Sequence, residues 1–340
     1  MNSRDLVIRT LGHKTVERVP RDLWTLPGIN LVRRDELKKL LDEYPSDFAI
    51  PEFSFGKGIR SNGIPHEVGE YTDAWGCVWR VAERGVVGEV KVHPLEEWSA
   101  LDNYRPPYEI LSNADFTHVN ESCAATDRFV LAGSTIRPFE RMQFLRGPES
   151  LYIDFAYDPK ELRQLIDMLH DFYLEELRMW VETDVDGVAF MDDWGSQTGL
   201  LISPDQWREI FKPLYSDYCR LIHQAGKFAF FHSDGEISSI IGDLIEIGVD
   251  ALNSQLFCMD IEKLADEYRG KITFWGEIDR QNILPFGTED DVRAAVRRVR
   301  KAFDRGRGGI IAQCEWGLDV PYANIAAVFD EWAKPLEVSD

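Results

Sequence analysis

The stretch KFAFFHSDGEISSIIGDLIEIGVDALNSQ, residues 227–255, decides how the chain folds. Its short apolar run, Phe228 to Phe231, is typical of a buried strand that ends where polar residues begin. The isoleucines and leucines that follow recur at the spacing of one helix face, and a glycine is placed to end that helix. Val249 to Asn253 is predicted as the next strand. The stretch is therefore one βαβ unit, with His232 in the turn after its first strand.

The same alternation of strand and helix continues through the C-terminal two-thirds of the chain. With early strands at Val19–Trp24 and Asp47–Pro51 there are about eight β units, which favours a single (β/α)8 TIM barrel over residues 1–340. Residues 53–93 are rich in glycine and strand-like sequence, and they are predicted to form a β-hairpin excursion over the barrel mouth. An open doubly wound sheet is the alternative, but neither a GxGxxG nor a GxxxxGK[ST] motif supports it.

The charge of the chain restricts its partners. Acidic residues number 59 against 38 basic ones, a net charge of −21. Such a surface repels phosphate backbones and anionic lipids, so we expect no nucleic-acid partner and no membrane partner. No apolar run approaches the ~18 residues of a membrane span, and the N-terminal sequence lacks an apolar signal core, so we expect a cytoplasmic protein. The five scattered cysteines are expected to be free thiols or metal ligands.

Polar residues follow the predicted strands where a barrel would bring their ends together. They are Asp192, Asp193, His232, Asp234, Gln255, Glu277, Asp279, Cys314 and Glu315. Imidazole, thiolate and carboxylate are the donors that zinc takes, and a catalytic zinc site leaves one position open. We predict His232 and Cys314 as metal ligands, with Glu277 or Asp234 as the third.

Other interpretations of these residues stay open. Asp193 is also suited to cap a helix or form a turn, and Cys314 to be a buried thiol within its strand. A second cluster, Asp192 with Cys219 and Cys258, is the alternative metal site.

Aromatic residues are frequent at the same strand ends, where general packing is the simpler explanation. Their functional interpretation is a pocket for a flat apolar substrate or for the face of a large cofactor. The predicted substrate-binding residues are Trp194, Gln197, Phe231, Gln255, Trp275, Glu315 and Trp316.

Four segments in order carry a family resemblance: MDDWGSQTGLLISPDQWREIFKP, FFHSDGEISSIIGDLIEIGVDALNSQ, WGEIDRQNILPFGT and GGIIAQCEWGLDVPYANI. They resemble the uroporphyrinogen decarboxylase superfamily, which implies a single TIM barrel. In the decarboxylase an arginine-rich RQAGR segment holds the substrate carboxylates, whereas this chain has TLPGINLVRR there. The resemblance is therefore stronger to the cobamide-dependent methyltransferase branch.

That branch binds zinc through a His-x-Cys motif and a later Cys. His232 matches the first ligand, Asp234 stands in place of the first Cys, and Cys314 lies in the segment of the last. This variant resembles the corrinoid-dependent O-demethylases, which move methyl groups from phenyl methyl ethers to the cobalt of a separate corrinoid protein. The resemblance implies zinc as a Lewis acid on the ether oxygen, with Asp192, Asp193 or Asp234 relaying a proton.

Three other functions remain open at this stage. They are methyl transfer from a methylcobamide to a thiol, cofactor-free decarboxylation of a tetrapyrrole or related acid, and non-catalytic binding of a corrinoid or its carrier. The sequence identifies neither the small-molecule methyl donor nor the oligomeric state, for which a homodimer is one alternative.

Overall fold

The computed structural model describes residues 1–335. The strands are β1 (Arg21–Thr25), β2 (Phe48–Ala49), β3 (Gly69–Thr72), β4 (Val78–Val81), β5 (Glu89–Val92), β6 (Phe129–Ala132), β7 (Gly187–Met191), β8 (Phe228–Ser233), β9 (Ala251–Ser254), β10 (Thr273–Trp275) and β11 (Ile310–Trp316). The helices are α1 (Ser3–Leu11), α2 (Pro27–Val32), α3 (Arg34–Glu43), α4 (Tyr108–Ser112), α5 (Val119–Ala124), α6 (Pro138–Arg146), α7 (Pro148–Tyr157), α8 (Lys160–Val181), α9 (Pro204–Gln224), α10 (Ser238–Glu246), α11 (Ile261–Tyr268), α12 (Ile283–Phe286), α13 (Glu289–Phe303) and α14 (Tyr322–Ala333).

Eight of the strands form the predicted barrel. They run in the order β1-β11-β10-β9-β8-β7-β6-β2, and every adjacent pair is parallel. The two outer strands of this order also meet, because the backbone N–H of Asp47 donates to the carbonyl of Arg21 over 2.8 Å. The Arg21 N–H in turn donates to the Asp47 carboxylate over 2.7 Å. The sheet is therefore a nearly closed α/β TIM barrel, which confirms the predicted fold class.

The unit around β8 forms as the sequence predicts. The apolar face of α10 is buried, which stabilises the fold by ~1.5–3 kcal/mol per large side chain. Gly248 follows the helix at φ +96°, a conformation that costs glycine little. In the pairing of β8 with β9, His232 lies opposite Asn253. This register sets the partner of the histidine in the site described below.

Alternate residues of the barrel strands face two separate cores, as the pleat requires. The inner core fills the barrel and includes Phe48, Phe129, Phe230, Trp275 and Ile311. The outer core lies between barrel and helices. Side chains on the inner face near the carboxyl ends of the strands are therefore those that reach the mouth.

The segment predicted as a hairpin forms an antiparallel sheet with one strand more than a hairpin, β3-β4-β5. The strands are short, and a third strand adds the pairing that a lone hairpin lacks. The sheet is tied to α6 by an ion pair of 3.1 Å between Asp73 and Arg141. It is tied to α2 by a hydrogen bond of 3.1 Å from the N–H of Gly28 to the carbonyl of Gly85. Both helices follow carboxyl ends of barrel strands, so the excursion packs on the mouth side.

Within residues 1–335, none of the helices combines the length and the apolar character that crossing a bilayer requires.

Candidate active site

His232 lies on the inner face of β8 and is held in one orientation. Its Nδ1 lies 2.6 Å from Oδ1 of Asn253, and the amide nitrogen of Asn253 donates to the carbonyl of Trp275. The asparagine oxygen is thus the acceptor, so Nδ1 of His232 carries a proton. The ring of Trp24 supports the other side, with ring centroids 5.1 Å apart. Nε2 is left to face the mouth.

Two carboxylates face Nε2 of His232. Oδ1 of Asp193 lies 3.4 Å from it and Oδ1 of Asp234 lies 3.6 Å from it. Asp193 is held by the backbone N–H of Asp234, which donates to it over 3.0 Å. Oδ1 of Asp234 is buried and has no hydrogen-bond partner among the described residues. One ligand atom from each of the three residues lies within 4.8 Å of the other two.

The charges of these three groups depend on one another. Burial disfavours the imidazolium of His232, but hydrogen bonding and the charges of Asp193 and Asp234 outweigh it and raise its pKa to about 9. Burial opposes ionisation of Asp193, yet His232 holds the pKa of Asp193 below its usual value. Burial and the nearby charge of Asp193 raise the pKa of Asp234. Without a bound cation, His232 is therefore an imidazolium between two carboxyl groups at neutral pH.

Arg280 ties further carboxylates to this group. Its guanidinium donates to Asp234, lies 2.6 Å from Glu315 and lies 3.5 Å from Glu277. Burial raises the pKa of Glu277 to about 8, although Arg280 opposes the shift. The carboxylates of Asp193, Asp234 and Glu315 outnumber the two positive charges, on Arg280 and His232, so the mouth is an acidic environment.

A small cleft of about 60 Å³ opens beside Arg280. Gln197, Gln255, Cys258 and Glu277 line it together with the loop at residues 279–282. The amide oxygen of Gln255 accepts a hydrogen bond of 2.9 Å from the N–H of Gly235, which fixes that wall. Amide and carboxyl groups therefore surround this space, and its residue Arg280 also bonds to Asp234 of the three-residue cluster.

Asp192 does not face the mouth. Its carboxylate accepts hydrogen bonds of 2.9 and 2.8 Å from the backbone N–H groups of Phe139 and Glu140, in the first turn of α6. The hydroxyl of Tyr215 donates to it over 2.6 Å. Asp192 therefore anchors the helix and stabilises its positive end. The proposed proton relay through Asp192 is not supported.

Cys314 is also placed away from the cluster. It belongs to the outer core, whereas Glu315, the next residue, reaches Arg280. The structure therefore does not bring the predicted ligands His232, Glu277 and Cys314 together, because Cys314 faces the helices and Glu277 pairs with Arg280. The alternative cluster of Asp192, Cys219 and Cys258 does not form either. Among the described residues, the only group of three or more metal-binding side chains is Asp193, His232 and Asp234.

The predicted aromatic lining is largely core. Phe231, Trp194 and Trp316 belong to the outer core, where Trp194 stacks on Phe139 at a ring distance of 4.0 Å. Trp275 belongs to the inner core, and its backbone carbonyl accepts a hydrogen bond from the side-chain amide of Asn253. Gln197, Gln255 and Glu315 are the predicted contacts that do reach the mouth.

Several residues of the site were not identified from the sequence. Asn253 and Trp24 contact His232, and Arg280 pairs with Asp234. Glu140 lies at the start of α6 near Asp193. Two signals were available. Asn253 ends the strand predicted to follow the one bearing His232, and Arg280 stands three residues after Glu277.

Comparison with known proteins adds a family and a shared fold. The sequence model described as Uroporphyrinogen decarboxylase (URO-D) matches residues 72–334. A solved structure of a methyltransferase from Methanosarcina mazei superposes with a TM-score of 0.72 and 15% sequence identity, covering 98% of this chain and 98% of that one. At that identity the similarity establishes the fold alone. No curated protein matches the chain.

Proposed function

The chain belongs to the uroporphyrinogen decarboxylase family, and we propose that it is a methyltransferase with a zinc ion held by Asp193, His232 and Asp234. The methyl donor would be a methoxylated aromatic compound, and the acceptor the cobalt of a corrinoid carried by a separate protein. The observation that carries this proposal is the convergence of one imidazole and two carboxylates at the barrel mouth. The similarity to a methyltransferase structure supports it at the level of the fold.

The residues fit a metal ion on three counts. Asn253 fixes the proton on Nδ1 of His232, so Nε2 offers its lone pair to a metal once its own proton is lost. Asp234 offers a buried oxygen that lacks a hydrogen-bond partner among the described residues. One imidazole and two carboxylates are donors that zinc accepts, and three protein ligands leave a position for substrate.

The charge of the mouth also favours a cation over a polyanion. Arg280 is already paired with Asp234, Glu277 and Glu315. A substrate with many carboxylates would meet these acidic groups without a free guanidinium from Arg280. The decarboxylase alternative predicts carbon dioxide release from uroporphyrinogen without any corrinoid protein, and the acidic mouth argues against it.

The chain's own side chains have distinct roles in the proposed reaction. A zinc ion, when bound, would polarise the ether oxygen as a Lewis acid. Asn253 and Trp24 keep the ring of His232 oriented towards that position. Glu277 lines the cleft, and its raised pKa of about 8 keeps it protonated at neutral pH. It would deliver a proton to the phenolate oxygen as the carbon–oxygen bond breaks and the methyl group passes to cobalt.

The first experiment measures metal content and activity together. Protein purified without oxygen should contain about one zinc per chain. His232→Ala and Asp193→Asn should lose both the metal and methyl transfer from a methoxybenzene to a reduced corrinoid protein. Cys314→Ala is the matched control, since Cys314 lies in the outer core, and it should keep the metal.

Zinc that is absent after reconstitution, or that is retained by His232→Ala, would exclude the proposed site. Full methyl transfer by the metal-free protein would exclude the role of the metal.

A further inference from the structure

Asp22 is a buried carboxylate inside the barrel that has no role in the proposed reaction so far. It lies on β1 and is 7% exposed. Burial raises the pKa of Asp22 to about 6, although its hydrogen bonds oppose the shift, so the group is mostly ionised at neutral pH. A charge in such a place is costly unless hydrogen-bond donors surround it. The donors around Asp22 therefore show what this charge holds in place.

Two of these donors are the indoles of Trp24 and Trp275. Their Nε1 atoms donate to the same carboxylate oxygen, Oδ2, over 3.1 and 3.0 Å. The two rings also meet edge to face, with ring centroids 4.9 Å apart. The other oxygen, Oδ1, accepts from the backbone N–H of Leu23 over 2.9 Å and from the hydroxyl of Ser46 over 3.3 Å. Hydrogen bonds to an ionised acceptor are stronger than those between neutral groups, so one carboxylate holds both indoles.

Both tryptophans in turn support His232. The ring of Trp24 packs against the imidazole at a centroid distance of 5.1 Å. The backbone carbonyl of Trp275 accepts a hydrogen bond from the amide of Asn253, whose oxygen lies 2.6 Å from Nδ1 of His232. Because β10 ends at Trp275, the bond from its indole to Asp22 anchors the strand end that carries this carbonyl. Two routes therefore lead from Asp22 to the imidazole, one through a ring contact and one through Asn253.

We propose that Asp22 is a positioning residue that acts through Trp24 and Trp275. It holds the imidazole of His232 in the orientation that directs Nε2 towards the two carboxylates at the mouth. Partners outside the ligand shell fix the ring and the tautomer of a metal-bound histidine, and Asp22 does so from one step further out. The orienting role does not depend on a metal ion, and only its consequence for zinc affinity rests on the proposed function.

The test compares Asp22→Leu, which has no acceptor, with Asp22→Asn, which keeps one. The first readout is the imidazole N–H signal of His232 in full-length, metal-free protein labelled with ¹⁵N-histidine, identified by its absence from His232→Gln. In Asp22→Leu the Nδ1 proton should exchange with water about tenfold faster than in wild type, because the imidazole is held less firmly on Asn253. In the second readout, competition with a chelator, zinc affinity should fall about tenfold. Asp22→Asn should lie closer to wild type in both readouts.

Asp154→Leu is the matched control. Asp154 lies on α7, is 6% exposed, and likewise accepts from an indole, that of Trp98, over 3.3 Å. Its replacement also removes the carboxylate that lies 2.8 Å from the guanidinium of Arg146. This variant should therefore lower stability in thermal unfolding but leave both readouts of His232 unchanged. If the role of Asp22 were structural alone, the two leucine variants would behave alike.

Exchange and zinc affinity that Asp22→Leu leaves within a factor of two of wild type would overturn the proposal, as would equal losses in Asp154→Leu. If Asp22→Leu does not fold, Trp24→Phe breaks the same link from its other end. Phenylalanine keeps a ring but lacks the Nε1 donor, and Trp24 is only partly buried. Faster exchange of the Nδ1 proton in Trp24→Phe supports the proposal, and unchanged exchange overturns it.

The two proposals can fail separately. Faster exchange in Asp22→Leu, in a protein that binds no zinc, supports the positioning role and contradicts only the proposed function. Zinc binding by the wild type, together with exchange that Asp22→Leu leaves unchanged, contradicts only the positioning role.

Discussion

Replacing Asn253 by leucine should weaken zinc binding without touching a ligand. The asparagine accepts the Nδ1 proton of His232 over 2.6 Å and donates to the carbonyl of Trp275. Leucine has nearly the same volume but can neither accept nor donate a hydrogen bond. The imidazole would then lose the partner that fixes its tautomer and its ring orientation.

The size of the effect follows from two independent estimates. A buried donor left without a partner costs about 1–3 kcal/mol. Loss of a second-shell partner of a metal-bound histidine lowers metal affinity about 10- to 100-fold, which is about 1.4–2.7 kcal/mol. Because Asn253 is fully buried, water does not replace the lost acceptor, and we expect a loss near the upper end of this range.

The assay is competition for zinc between the purified protein and a chelator of known affinity. Ser254→Ala is the control, because the Ser254 hydroxyl has no hydrogen-bond partner among the described residues. Its removal therefore leaves the hydrogen bonds of His232 unchanged. Thermal unfolding of each metal-free variant separates loss of affinity from loss of fold. Zinc affinity of Asn253→Leu within a factor of two of wild type would refute the view that Asn253 orients His232.

Three further predictions concern stability and reactivity. Asp73→Ala should lower the free energy of unfolding by about 3–5 kcal/mol in a denaturant titration, because it leaves the charge of Arg141 buried without its partner. Burial raises the pKa of Glu176 to about 7 from its usual 4.5, despite hydrogen bonds from Thr135, so the folded state holds its proton more tightly. Stability should therefore fall by up to about 3 kcal/mol between pH 4.5 and pH 7, and Glu176→Gln should remove this loss. In native protein, iodoacetamide should label Cys258 first, because the other four cysteines are buried.

Each of these has its own check. Asp42→Ala breaks an exposed ion pair with Lys38 and should change stability by less than about 0.5 kcal/mol. If Asp73→Ala lowers the free energy of unfolding by no more than that, the ion pair with Arg141 does not hold the β3-β4-β5 sheet on the barrel. If the free energy of unfolding depends on pH in the same way for wild type and Glu176→Gln, the carboxyl of Glu176 is excluded as the titrating group. Labelling should disappear in Cys258→Ala, and persistent labelling there would show that another cysteine is accessible.

Much of the barrel could be predicted because its elements have clear local signals. β8 begins at the predicted residue, Phe228, and β1 and β2 overlap the strands predicted at Val19–Trp24 and Asp47–Pro51. The strand-end principle also correctly brought His232 and Asp234 to one mouth. These features depend on neighbouring residues in the chain.

The side of the strand on which a residue lies was harder to predict. The last residues of β11 do alternate, with Ala312, Cys314 and Trp316 on one face and Gln313 and Glu315 on the other. Because both faces of a strand in a parallel barrel are buried, this alternation does not tell which face lines the mouth. Cys314 was thus placed at the mouth, although Gln313 and Glu315 are the residues on its inner face. Arg280 was missed for a different reason. Arginine is not a metal donor, and the role of Arg280 becomes visible only when the fold brings its three carboxylate partners together.

Asp192 and Asp193 are adjacent, yet one anchors α6 and the other faces His232. Their opposite directions follow from the two-residue pleat continuing past the end of β7. Deleting one residue between Val188 and Asp192 would move Asp193 into the place of Asp192 and leave no carboxylate beside His232. Inserting one residue there would move Asp192 beside His232 and leave the first turn of α6 without its anchor. This segment should therefore tolerate many changes of residue type but no change of length. In a library of single-codon insertions and deletions, functional variants should be missing at these positions.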